Sequence, residues 1–119
     1  MRVSVVSGGF DPIHSGHIAY LNAEKDIGDK LIVALNSDDW LRKKKGQPFM
    51  NFLERKTILE SLSCVDEVVG FEDDDLGSCI NALKIIKQRY PKEKIIFCNG
   101  GDRDQTNIPE MSIPNVELK

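Results

Sequence analysis

Four short apolar runs, Val3–Val6, Lys30–Ser37, Asp66–Phe71 and Lys94–Asn99, alternate with stretches of helical spacing, and that alternation leaves few folds open. The runs are rich in Val, Ile or Leu with little polar alternation, which marks strands buried on both faces. From His17, Ile18, Leu21 and Ile27 fall roughly on one helical face, with Gly28 as a C-terminal stop. Asn51 followed by Glu54 reads as a capping box opening a helix through "FLERKTILESL", with Leu53, Ile58, Leu59 and Leu62 apolar. Ser78–Tyr90 is amphipathic and is stopped by Pro91. The expected fold is α/β: a Rossmann-like single domain over 1–119, with a parallel sheet of four to five strands and helices on both faces. Its crossovers should be right-handed. The turn-rich tail "RDQTNIPEMSIPNVELK" offers one short final strand at Val116–Leu118.

At 119 residues the chain has room for one core. Its 40% apolar and 29% charged residues are those of a globular protein and exclude a disordered one. A net charge of −3 argues against a general nucleic-acid binder. Cys64, Cys79 and Cys98 show no CxxC or zinc spacing, so they are expected to be reduced, buried thiols. No apolar stretch nears the ~20 residues of a membrane span, and no signal-peptide cleavage site follows the N-terminus. The expected location is the cytoplasm, without membrane association.

The residues suited to chemistry gather in "SGGFDPIHSGH", Ser7–His17, directly after the first strand. In parallel sheets ligands bind beyond the carboxyl ends of the strands, at the switch point of the topology. Gly8 and Gly9 permit a sharp turn and a close ligand approach. The helix that follows offers unpaired N–H groups and a positive dipole end to a phosphate. Neither GxGxxG nor a Walker pattern is present. Instead the only two histidines of the chain, His14 and His17, lie three apart at a helix start, where both rings can face one side. Each alone could be a cap or a core residue, and the pair could bind a metal with Asp11. Together they can also bind a triphosphate and stabilise developing charge.

Three further features are open at this level. Arg42–Lys45 is either a solvated helix face or a loop that folds over phosphates. The acidic Glu72–Asp75 lacks EF-hand spacing and reads as a solvated loop. Trp40, beside the basic run, either stacks on a ligand or is partly buried.

The sequence "GGFDPIHSGH" matches the G-x-F-D-x-x-H-x-G-H signature and resembles the cytidylyltransferase-like nucleotidyltransferases. The similarity extends through "GDKLIVALNSDD", "LERKTILESL", "VDEVVGFEDD" and "NGGD". Glycerol-3-phosphate cytidylyltransferase and the adenylyltransferase acting on heptose 1-phosphate are the two branches that fit best. The resemblance implies an α/β enzyme that couples a nucleoside triphosphate, CTP or ATP, to a phosphorylated polyol or sugar and releases pyrophosphate. It implies that His14 and His17 hold the phosphates and stabilise the transition state. The backbone of Ser7, Gly8 and Gly9 would line the triphosphate together with Gly16, and Phe10 and Asp11 belong to the same block. Asp11 would lie at the substrate and nucleotide side. Lys44 aligns with the lysine of the cytidylyltransferases, whereas Lys45-Gly46 matches the heptose branch. Arg55 would face the site, although it could equally pair with Glu54 or Glu60 on a wet helix face. Gly100 and Asp102 would lie near the nucleotide; the bland alternative is an ordinary turn. Mg2+ is expected to arrive with the triphosphate, and a homodimer is implied.

The family's late R-T-x-G-I-S block has no match after Asp102, so the domain is expected to lack it. The favoured activity at this stage is CMP transfer to a glycerol-3-phosphate-like acceptor. The alternatives are adenylyl transfer to a sugar phosphate, or a nucleotide-binding module impaired in catalysis.

Overall fold

The computed structural model describes residues 1–73, 79–98 and 116–118. The order of elements is β1 (Arg2–Gly8), α1 (Ser15–Lys25), β2 (Lys30–Leu35), α2 (Asp38–Lys45), α3 (Phe52–Glu60), β3 (Glu67–Gly70), α4 (Ile80–Arg89), β4 (Lys94–Cys98) and β5 (Val116–Leu118). The strands form one five-stranded sheet in the order β3-β2-β1-β4-β5. Every pairing is parallel, with Val5 opposite Ile32 on one side and Phe97 on the other. The chain steps outward from β1 to β3, then returns through α4 to the far side of β1. That reversal places the switch point at the carboxyl ends of β1 and β4.

Alternation along the strands divides the core into two layers. Val3, Val5, Ile32, Ala34, Ile95 and Phe97 pack with Ala82, Leu83 and Ile86 of α4. Val6, Leu31, Val33, Leu35 and Ile96 pack on the opposite face with Leu21 of α1 and Leu59 of α3. Helices therefore cover both faces, as the unbroken apolar runs require. The three cysteines are buried thiols, none of them in a disulfide.

The helix starts follow capping chemistry. Ser37 accepts the N–H of Trp40 at 3.0 Å and Asn51 accepts that of Glu54 at 2.9 Å. Gly28 lies beyond the end of α1, whose C-cap is Asp26. A Cβ at Gly28 would lie 2.6 Å from the Ser4 hydroxyl and 2.8 Å from the Arg2 carbonyl, so glycine is there for close approach to β1. Among the described residues, no helix is long and apolar enough to cross a membrane.

Candidate active site

The turn between β1 and α1 stands over the central strand. Phe10 has a φ of 49°, a left-handed conformation that a bulky residue holds only when its surroundings impose it. Its buried ring meets His17 edge-on, with centroids 5.1 Å apart.

His14 is the N-cap of α1. Its Nδ1 accepts the N–H of Gly16 at 3.1 Å, while Nδ1 of His17 accepts the N–H of His14 at 3.2 Å. Two imidazoles thus form the reciprocal cap usually built from Ser or Thr and Glu. Because each Nδ1 accepts, each neutral ring carries its proton on Nε2, an assignment that follows from the hydrogen bonds. The rings stack with centroids 3.9 Å apart and planes 28° from parallel. Capping consumes Nδ1 and leaves an Nε2–H donor on each ring at the positive end of a helix. Burial, and then the charge of His14, hold the His17 pKa below the ordinary histidine value. A Cβ at Gly16 would lie 2.9 Å from Cε1 of His14, so this glycine leaves room for the ring.

The basic run is the last half of α2, a helix instead of a loop. Lys44 places its ammonium 4.6 Å from the centre of the Trp40 ring. Lys45 turns to the signature, with Nζ 2.7 Å from the Asp11 carboxylate and donating to the Asp11 carbonyl at 2.7 Å.

Asp11 departs from expectation. Its side chain is 1% exposed. One carboxylate oxygen accepts the N–H of Phe49 at 2.6 Å and the other that of Met50 at 2.5 Å. Burial pushes its pKa up, but the Lys45 bond, the two amides and the Lys45 charge outweigh this and hold it below the usual carboxylate value. The carboxylate is turned toward the 45–50 segment and not presented to solvent.

Arg55 is likewise corrected. It is not on a wet helix face: it is 0% exposed and the largest fully buried side chain among the described residues. Nη1 donates to the carbonyls of Gly9 at 2.9 Å and Asn36 at 2.8 Å, Nε to that of Met50 at 3.0 Å, and Nη2 to the Asp38 carboxylate at 2.7 Å. Glu60 pairs with Lys56 instead. With four of its five N–H donors engaged within the chain, Arg55 ties four segments together beneath the turn.

Ser7 and Gly8 end β1, and the Gly8 carbonyl accepts the N–H of Asn36 at 3.0 Å. Tyr20 of α1 donates to the Cys98 carbonyl at 3.4 Å; burial, with Glu24 and Cys98 adding, pushes its pKa up to about 12. Gly100 and Asp102, with Asp74 and Asp75 of the acidic loop, lie outside the described residues. The structure therefore pairs His14 with His17, Asp11 with Lys45 and Gly9 with Arg55, and parks Lys44 on Trp40. The amides of Phe49 and Met50 and the carboxylate of Asp38 were missed from the sequence. Main-chain donors leave no residue signature, whereas Asp38 in a helix first turn reads as ordinary dipole pairing.

Residues 5–117 match the family model described as cytidylyltransferase-like. The chain belongs to this family. It is thus a cytidylyltransferase-like nucleotidyltransferase domain. The bifunctional protein HldE of Erwinia tasmaniensis is 35% identical over 97% of this chain, and the HldE of Haemophilus influenzae 36% over 85%. The HldE of Helicobacter pylori is 45% identical over 70%. The chain spans only 27%, 24% and 18% of those three proteins respectively. Among solved structures, the lipopolysaccharide core biosynthesis protein of Thermoplasma volcanium matches with a TM-score of 0.73 at 25% identity, covering 99% of this chain and 93% of that one.

Proposed function

We propose that this domain transfers an adenylyl group from ATP to a sugar phosphate such as heptose 1-phosphate, releasing pyrophosphate. The observation that carries the transfer chemistry is the pair of stacked imidazoles offering Nε2–H donors at the α1 N-terminus. The sugar-phosphate branch, second in the sequence reading, is supported by the HldE relatives, the lipopolysaccharide core neighbour and Lys45-Gly46. CMP transfer to glycerol 3-phosphate is the second reading, favoured by the family description.

The step is an in-line displacement. A phosphate oxygen of the acceptor attacks the α-phosphorus as the bond to the bridging oxygen of pyrophosphate breaks. The nucleophile is already an anion, so no general base is needed. Positioning and stabilisation of charge supply the catalysis. The imidazoles hold the triphosphate and meet the charge gathering on the leaving group. Among the described residues no group of three His, Cys, Asp or Glu side chains is placed to hold a metal. In this reading magnesium comes with the substrate, held by the triphosphate oxygens.

The test is a pyrophosphate-release screen of ATP and CTP against heptose 1-phosphate and glycerol 3-phosphate. Turnover is expected with ATP and heptose 1-phosphate. His14→Ala and His17→Ala should each lower kcat by about 10²–10³-fold, or ~2.7–4 kcal/mol, the scale of a lost oxyanion donor. Wild-type turnover in both variants would defeat the proposal. Nucleotide binding without turnover would favour an impaired binding module.

A further inference from the structure

The Asp11 contacts go beyond what the transfer chemistry requires. The backbone at Phe49 and Met50 is gripped from two sides by groups that also hold the signature turn. From one side Asp11 accepts both N–H groups; from the other Arg55 takes the Met50 carbonyl while holding that of Gly9. Two consequences of this grip are unusual. The Lys45 ammonium, fixed on Asp11, keeps a side-chain exposure of 37%, so it retains a donor for an outside anion. Phe49 is held with 77% of its surface exposed, an apolar ring that burial would favour removing from water.

An in-line displacement needs two anion seats on opposite sides of the α-phosphorus, one for the departing pyrophosphate and one for the arriving phosphate. The imidazoles and the α1 N-terminus supply the first. Lys45 is a second, separate cation; the Phe49 N–H meets the same Asp11 oxygen as its ammonium, and the exposed ring of that residue suits the C–H face of a pyranose.

We infer that Lys45 and Phe49 form the acceptor seat, binding phosphate and sugar ring respectively, and that Asp11 is the positioning residue that docks this seat on the signature. The inference rests on the nucleotidyl-transfer reading and deepens it. Phe49 becomes the determinant of ring-containing over open-chain acceptors. Asp11 touches neither substrate.

Three variants test it: Asp11→Ala, Asp11→Asn and Phe49→Ala. Phe49→Ala should raise KM for heptose 1-phosphate about tenfold, the effect of a lost apolar contact, and leave KM for glycerol 3-phosphate unchanged. Asp11→Ala should raise the acceptor KM about 10- to 100-fold, as expected for lost charge-assisted hydrogen bonds, and leave the ATP dissociation constant measured by calorimetry unchanged. Asp11→Asn keeps one accepting oxygen and should recover part of the loss.

Amide hydrogen exchange supplies a readout independent of turnover. Phe49 and Met50 amides should be protected in the wild type and exchange at least about tenfold faster in Asp11→Ala. Unchanged exchange at both amides would remove the docking role. An equal fall in ATP and acceptor affinity would place Asp11 at the triphosphate instead. Equal KM changes for the two acceptors in Phe49→Ala would overturn the ring assignment. If the wild type turns over no substrate pair, the transfer reading fails. Exchange still decides the docking, and calorimetry of heptose 1-phosphate against wild type and Phe49→Ala decides the seat.

Discussion

Replacing Arg55 tests whether a buried guanidinium organises the site. Arg55→Met preserves much of the volume but removes every donor, leaving the Asp38 carboxylate and the carbonyls of Gly9, Asn36 and Met50 without this partner. Removing one member of a buried ion pair costs about 3–5 kcal/mol. Asp38 is 27% exposed, so water compensates in part and the lower end, about 3 kcal/mol, applies. Arg55→Lys retains the charge, but one ammonium cannot span four acceptors in three directions, and about 2 kcal/mol is expected. Against a total stability of roughly 5–15 kcal/mol these are large losses. With a urea m-value of ~2 kcal/mol/M, the unfolding midpoint should fall by about 1.5 M for Met and 1 M for Lys, followed by circular dichroism. A loss below about 1 kcal/mol in both variants would refute the argument, since the four hydrogen bonds would then contribute almost nothing.

Three further outcomes are expected. Gly16→Ala should change stability by less than about 1 kcal/mol, because the helix preference for alanine over glycine is offset by loss of the His14 cap. The same change should lower kcat, because the new methyl occupies the His14 ring position; unimpaired kcat would contradict the packing. The His17 pKa is depressed on folding, so below its ordinary value of 6.5 the unfolded chain binds more protons. Unfolding free energy should therefore fall as pH drops through that region, and His17→Gln should flatten the slope; identical slopes in urea melts at pH 7 and 5 would count against it. The homodimer expected from the family resemblance should sediment at twice the monomer mass of 13.4 kDa, and Ile18→Asp, an exposed position next to His17, should split it. A wild type that sediments as a monomer at every concentration would exclude that assembly.

The sheet was legible because burial on both faces writes itself as unbroken Val, Ile and Leu, and even the short strand at Val116–Leu118 followed from composition. Capping by Asn51 was legible for the same local reason. The start of α1 was not: histidine is an uncommon N-cap, and the helix opens at Ser15, before the His17 expected from apolar spacing. The course of Arg42–Lys45 was ambiguous because Gly46 and Pro48 break the chain just beyond, and the structure resolves it as helix. Arg55 and Asp11 failed differently. Periodicity assigns charged residues to the outside unless a partner is known, and their partners are mostly main-chain groups contributed by distant turns. What the spacing of His14 and His17 did reveal was their shared face, because three residues make less than one helical turn.

Three of the four groups gripped by Arg55 are peptide carbonyls, which every amino acid supplies alike; only Asp38 contributes a side chain. The bond to the turn at 50 is consequently blind to the identity of the residue there, whereas Asn36 is itself buried. The side chain at position 50 can therefore be exchanged while the frame beneath the signature turn stays where it is.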